Sequence, residues 1–290
     1  MTDKTASQLN FFSTIKVGGW TLVSRVAGLI RDIFTTNLLG ASIFHDIFVV
    51  VLKIPNVFRK LFAEGAFSQA FIPIYSEYIG SKDEKGSQDF LNALFGILLS
   101  ALFIFTTLAL LFAPVFILIF APGFYFDVQK QDLAVSLLRI MFPYLALISL
   151  VAFAAGIQNS HNKFSIPALT PLIFNLSLIC SAWLVAPKID IPVMALAWGV
   201  LLAGFLQLLF QIAPLASIKK IPVPKIDFQN SGVKKFFILI LPAIVAGGIA
   251  QINLLVDTIF ASLLITGSPT WLYVSDRLIQ FPMGIFAIAV

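Results

Sequence analysis

The sequence predicts an all-α, polytopic membrane protein, and three observations carry that reading. Hydrophobic residues make up 59% of the 290-residue chain and charged residues only 11%, whereas a soluble domain carries about a quarter charged residues. Mean hydropathy is +0.97. The apolar runs are long enough to cross a bilayer, which takes about 20 residues, and none alternates residue by residue as a barrel strand would.

Eight spans are expected. Span one covers 13–38 and span two 44–76, with Pro55 expected to bend the second. Spans three to six cover 90–120, 132–157, 165–186 and 191–213. Span seven covers 233–265, and span eight begins near 270. The sequence stops at GIFAIAV, still apolar, so a parent that continues is expected. The N-terminal MTDKTASQLNFFSTIK lacks a signal peptide's short apolar core, and span one is expected to act as the insertion signal.

Lysine placement sets the orientation. With the N-terminus in the cytoplasm, the inner segments hold Lys4, Lys16, Lys82, Lys85, Lys163, Lys219, Lys220, Lys225, Lys234 and Lys235, and the outer loops only Lys130 and Lys188. That asymmetry follows the positive-inside rule. The net charge of +5 therefore reflects membrane topology rather than nucleic-acid binding. Cys180 is the single cysteine and His45 and His161 the only histidines, which excludes an intramolecular disulfide and a Cys/His-rich metal site.

The longest connection, IKKIPVPKIDFQNSGVKK (218–235), reads as a surface linker between two helical lobes, or as a basic loop resting on anionic lipid. A faint repeat crosses it. DIFTTNLLG (32–40) resembles DTIFASLLITG (257–267), and Lys53 before Pro55 is echoed by Arg277 before Pro282. Halves that each carry a polar, broken helix are a transporter pattern.

Charge within the spans is the functional signal. Ser24 to Ala70 carries Arg25, Arg31, Lys53, Arg59 and Lys60 against Asp32, Asp46 and Glu64. A charge near the bilayer centre costs about 2.5–3.5 kcal/mol on insertion scales, so a set mostly of one sign points to an anion held inside the membrane. Arg25 and Asp32 fall on nearly the same helix face, with the small Gly28 between them. Lys60 and Glu64 have the spacing of a helix pair, and Arg31 sits nearer the outer end, where snorkelling competes with a cavity role. Arginine presents a fork of donors suited to phosphate oxygens, which favours a binding role for Arg25, Arg59 and Arg277. Asp276 is placed to neutralise Arg277 locally. Asp257, with Asn253 and Thr258 nearby, is a candidate Na⁺ or H⁺ site or else a helix contact. The abundant phenylalanines read as packing and lipid-facing residues.

The stretches SRVAGLIRD, KIPNVFRKLFAEGAFSQAFIPIYSEY, APGF, NKFSIPALTP, ALAWGV and SDRLIQFPMGIF, in that order, resemble the MviN/MurJ family of lipid II flippases, in the superfamily that also holds MATE exporters. The resemblance implies a two-lobed, MATE-like transporter fold. The six-helix N-lobe would occupy 1–217 and a cytoplasmic basic linker 218–232. The first two helices of the C-lobe would occupy 233–290. It also implies a cationic cavity. Arg25, Arg31, Arg59 and Arg277, with Asp46 and Lys53, are then the expected substrate-binding residues, and Asp257 an expected sodium ligand. Lys60 stands where some relatives have arginine, which keeps the charge but loses the bidentate fork.

The implied function is movement of lipid II from the inner to the outer leaflet of the bacterial cytoplasmic membrane, by a monomer surrounded by membrane lipid. No cofactor is expected beyond a coupling ion or the membrane potential. The alternatives are a flippase for another polyprenyl-pyrophosphate-linked glycan and a MATE-type cation or drug antiporter, although the latter calls for an acidic or aromatic cavity. No paired aspartates and no histidine in a basic motif point to an enzyme.

Overall fold

The computed structural model describes residues 2–289, with side chains described throughout that range except at 2–16, 62–64, 250 and 280–289. Among the described residues all regular structure is helical. Helix α1 (Thr2–Leu39) stops at Gly40, whose φ of +61° turns the chain into α2 (Ile43–Phe58). Ile47 to Leu52 of α2 are all buried, so this helix runs through the middle of the bundle.

Pro55, where a bend was expected, lies within α2. The irregularity falls just beyond, where Arg59–Ala66 winds as a π-helix before α3 (Phe67–Gly80). The next expected span is split. Helix α4 (Glu84–Leu111) ends and α5 (Ala113–Phe120) restarts, because Pro114 has no N–H to give to the Leu110 carbonyl four residues back. Arg139 supplies the missing donor, its Nε lying 3.3 Å from Leu110 O. A short α6 (Pro122–Tyr125) leads to α7 (Val128–Met141), which gives way to α8 (Tyr144–Ser160) at Pro143.

Helix α9 (Ser165–Cys180) tapers through a π turn (Ser181–Val185) and a 3₁₀ turn (Ala186–Lys188). Helix α10 (Pro192–Ser217) returns to the opposite end. Beyond the linker, α11 (Ser231–Leu263) runs unbroken through Pro242. Gly267, at a φ of +98°, then turns the chain into α12 (Ser268–Ala289).

Five stretches among the described residues are long and apolar enough to cross a bilayer: Glu84–Leu111, Val128–Ser160, Ser165–Lys188, Pro192–Ser217 and Ser231–Ile249. The expectation was eight. Of the three outside this set, Arg25, Arg31 and Asp32 interrupt α1, and Lys53 and Arg59 interrupt the second span; span eight lies partly outside the described residues. The charges that point to function are the ones that lower these helices' apolarity.

Two apolar cores hold the bundle. One joins α2, α5, α7, α8 and α10 around Ile47, Ile54, Leu137 and Phe142. The other, nearer the linker, joins α3, α4, α8 and α11. Its centre is aromatic: Phe71 stacks on Phe67 and Tyr75 at 5.2 Å and on Phe90 at 5.9 Å. Other phenylalanines face outward, as Phe103 and Phe126 do. Both expected uses of phenylalanine are therefore present.

The linker lies along α4 as a strap. Val223 N donates to Asn92 Oδ1 at 2.8 Å, Lys225 N to Asn92 O at 3.1 Å, and Gln88 Nε2 to Ile221 O at 3.2 Å. Gly96 makes the approach possible, since a Cβ there would stand 2.4 Å from Lys225 O. Lys235 of α11 then pairs with Glu77 of α3 at 3.1 Å.

Candidate functional site: an arginine-lined cavity

Helices α1, α2, α8, α9, α10 and α12 and the π segment enclose a cavity with two chambers. One, of about 450 Å³, is lined by Ser24, Arg25, Gly28, Arg31, Asp32, Asn175 and Arg277 among others. The other, of about 340 Å³, is lined by Asn56, Arg59, Thr170, Gln207 and others, and shares Arg31, Pro171, Asn175 and Arg277 with the first. Among the described residues, four arginines thus face this space against one carboxylate, Asp32. Arg277 also borders a third hollow of about 190 Å³ beside Tyr273.

Asp32 organises the site. Its Oδ1 accepts from Arg31 Nη2 at 2.6 Å, from Arg31 Nε at 3.0 Å and from the Tyr273 hydroxyl at 2.8 Å. Its Oδ2 lies 3.6 Å from Arg277 Nε. The expectation that Asp276 neutralises Arg277 is therefore corrected, because the ion pair formed is with Asp32 on α1. Arg277 also lies over the Tyr273 ring at 5.2 Å. This is a cation–π contact one helical turn away on the same helix.

Arg31 is 6% exposed, so the snorkelling alternative is overturned. Besides Asp32 it donates from Nη1 to Asn175 Oδ1 at 3.0 Å and from Nη2 to the Tyr273 hydroxyl at 3.2 Å, and it lies 5.6 Å from the Phe174 ring. It ties α1 to α9 and α12. Asn175 completes the tie by donating to Ser24 O at 2.9 Å. Gly28 faces the Asn175 amide, where a Cβ would make an ordinary van der Waals contact at 3.5 Å.

Arg25 is exposed to the first chamber and makes no hydrogen bond or ion pair with any described residue. Arg59 lines the second chamber from the π segment, its Nε donating to Asn56 Oδ1 at 3.1 Å. Lys60 is exposed, and the Glu64 side chain expected to pair with it lies outside the described residues.

Asp46 is not brought to the cavity. It is 2% exposed, and its carboxylate accepts from Gly267 N at 2.6 Å, Thr270 N at 3.0 Å and Thr270 Oγ1 at 2.6 Å. It closes the start of α12, where free backbone N–H groups favour a carboxylate. Lys53 lies outside the two chambers, within electrostatic reach of Asp276 and Asp257.

Asp257 is exposed on α11 and feels the Lys53 ammonium, while the neighbouring Thr258 hydroxyl is committed to Leu254 O at 2.6 Å. No cluster of three His, Cys, Asp or Glu residues exists among the described residues.

Sequence reasoning noted Asp32 but did not place it in the site, and it missed Asn175 and Tyr273. The i,i+4 spacing of Tyr273 and Arg277 was a usable signal. Nothing local marks Asn175, whose partners are about 150 positions away in the chain.

The arrangement suits a dianion. Arginine forks in a space walled by apolar helices bind phosphate oxygens more strongly than they would in water. The chain matches the family model described as Lipid II flippase MurJ over residues 35–290. The probable lipid II flippase of Buchnera aphidicola subsp. Schizaphis graminum is 41% identical over 277 residues, covering 96% of this chain and 54% of that protein. The probable lipid II flippase of Vibrio cholerae is 40% identical, covering 100% and 57% respectively. A solved lipid II flippase in an inward closed conformation superposes with a TM-score of 0.78 at 30% identity, covering 94% of this chain and 56% of that one. The chain spans about half the length of the curated relatives it matches. It belongs to the MurJ lipid II flippase family.

Proposed function

We propose that this chain supplies the anion-holding half of a lipid II flippase of the bacterial cytoplasmic membrane. The observation that carries the proposal is the cavity itself, where, among the described residues, Arg25, Arg31, Arg59 and Arg277 face one space against the carboxylate of Asp32. In this reading α1–α10 form the N-lobe, residues 218–232 the cytoplasmic linker, and α11 and α12 the start of the C-lobe, with the N-terminus inside. The pyrophosphate enters beside Arg25, Arg59 and Arg277 while the prenyl tail stays in lipid. Rocking of the lobes then opens the cavity outward, and no bond is made or broken.

The energy source follows from charge. A pyrophosphate diester carries about two negative charges, so its outward movement gains about 4–5 kcal/mol per 100 mV, interior negative, if both cross the whole field. Ion coupling at Asp257 would need oxygen donors beyond the described residues, and no step of the cycle is routed through it. The protein acts as a monomer within membrane lipid.

Native mass spectrometry of the full-length protein tests this. Lipid II should be preferred over undecaprenyl monophosphate, and Arg25→Ala and Arg277→Ala should each abolish that preference without stripping bulk lipid. Unselective binding, or variants that bind as the parent does, would overturn the proposal.

A further inference from the structure

The second chamber has an uncharged wall whose hydrogen-bond polarity can be worked out. The start is a fixed acceptor, the Ile166 carbonyl, to which Thr170 Oγ1 donates at 3.0 Å. Thr170 Oγ1 has spent its proton and so accepts from Gln211 Nε2 at 2.7 Å. Gln211 Oε1 in turn accepts from Gln158 Nε2. On the same residue the Thr170 carbonyl takes Gln207 Nε2 at 3.0 Å. A carbonyl only accepts, which fixes the Gln207 amide and turns its oxygen away from Thr170.

Gln207 is 2% exposed, and its Oε1 has no donor among the described residues. A buried acceptor left unsatisfied is costly, and Gln207 and Thr170 both line the chamber. Thr170 lies five positions before Asn175 on α9, which puts this wall about 7.5 Å along the helix axis from the level of Arg31. That is the span of roughly one sugar beyond a phosphate. Asn159 borders the same space.

We infer that Gln207, held by Thr170, is the acceptor of a neutral subsite that takes an N–H or O–H donor from the sugar–peptide head of the lipid whose phosphates face the arginines. This rests on the proposed function and adds to it the means by which a glycosylated head is told from a bare pyrophosphate. The arginines hold the charge common to both, and Gln207 reads what only one of them carries. Its oxygen needs a donor, so a head group without hydroxyl or amide hydrogens gains nothing there.

The test compares lipid II with undecaprenyl pyrophosphate on the full-length protein by native mass spectrometry, with melting in detergent as a check on folding. The parent should prefer lipid II. Gln207→Met should lower that preference about fivefold and leave binding of the bare pyrophosphate unchanged. An intact preference, or equal loss for both lipids, overturns the subsite. A parent that binds both lipids alike also overturns it but leaves the arginine site standing, whereas a parent that binds neither sinks the proposed function itself. Should Gln207→Met fail to fold, a lipid II with its head group permethylated poses the question to the parent. Affinity equal to native lipid II refutes the subsite, and a fall to the level of bare pyrophosphate supports it.

Discussion

Arg25 and Arg31 lie six residues apart on one helix and have opposite surroundings. Arg31 is buried and committed to Asp32, Asn175 and Tyr273. Arg25 is exposed to the same cavity without a partner among the described residues. The family resemblance put both among the substrate-binding residues, although position alone left Arg31 between snorkelling and the cavity. The structure separates a cation that assembles the site from one whose donors are free for a ligand. A charge inside a membrane bundle is thus not automatically a binding residue. What decides is whether its hydrogen-bond capacity is already used.

The same substitution at both positions tests that distinction, and it should give the largest effect. Arg31→Met removes the nearest counter-charge of Asp32, which keeps Arg277 and the Tyr273 hydroxyl, and breaking a buried pair by removing one partner costs about 3–5 kcal/mol. Arg25→Met should stay within about 0.5 kcal/mol of the parent, as open-surface changes do. Equilibrium unfolding in detergent reads both, and equal losses would erase the contrast.

A smaller effect sharpens the division of labour around Arg31. Asn175→Leu removes the acceptor of Arg31 Nη1 and the donor to Ser24 O but leaves Asp32 in place. It should cost about 1–2 kcal/mol, well below Arg31→Met. A loss as large as that of Arg31→Met would mean that α9, not Asp32, dominates the tie.

The smallest effect comes from outside the cavity and serves as its control. His161, in the turn after α8, shares a 3.0 Å hydrogen bond with the buried Tyr75 hydroxyl. Burial, and secondly the Lys220 charge, hold its pKa below the ordinary imidazole value of 6.5. The unfolded chain therefore takes up the proton first, and stability is full above about pH 6.5 and declines as pH falls below it. His161→Gln should flatten that decline, seen as melting temperature against pH. A slope unchanged by the substitution would assign the pH dependence to other groups.

Much of the fold was legible because it rests on composition and length. The apolar runs of α4, α8, α10 and α11 read directly from the sequence, and the family resemblance pointed to Arg25, Arg59 and Arg277 as residues of one cationic cavity. What escaped was settled by tertiary partners. Asp46 was expected in the cavity from the family resemblance, whereas its partners are the backbone N–H groups of Gly267 and Thr270, more than 200 residues on. The break at Phe112 was signalled by Pro114, but the rescue of Leu110 O by Arg139 depends on α7 passing alongside. The linker's docking onto α4 turns on Gly96, an unremarkable glycine until Lys225 is set against it.

The π segment at Arg59–Ala66 carries one last consequence. A π turn holds an extra residue, and each residue advances a helix by about 100°. Arg59 and the aromatic face of α3 therefore stand in two different angular registers, joined by a phase slip. Winding the same residues as regular α-helix would swing Phe67, Phe71 and Tyr75 by about 100° relative to Arg59, away from Phe90 and Phe153, whereas deleting one residue between 60 and 66 removes the extra residue and leaves both faces where they are. In the arithmetic of insertions and deletions, this stretch carries one spare residue: it accepts the loss of one and not the gain of another.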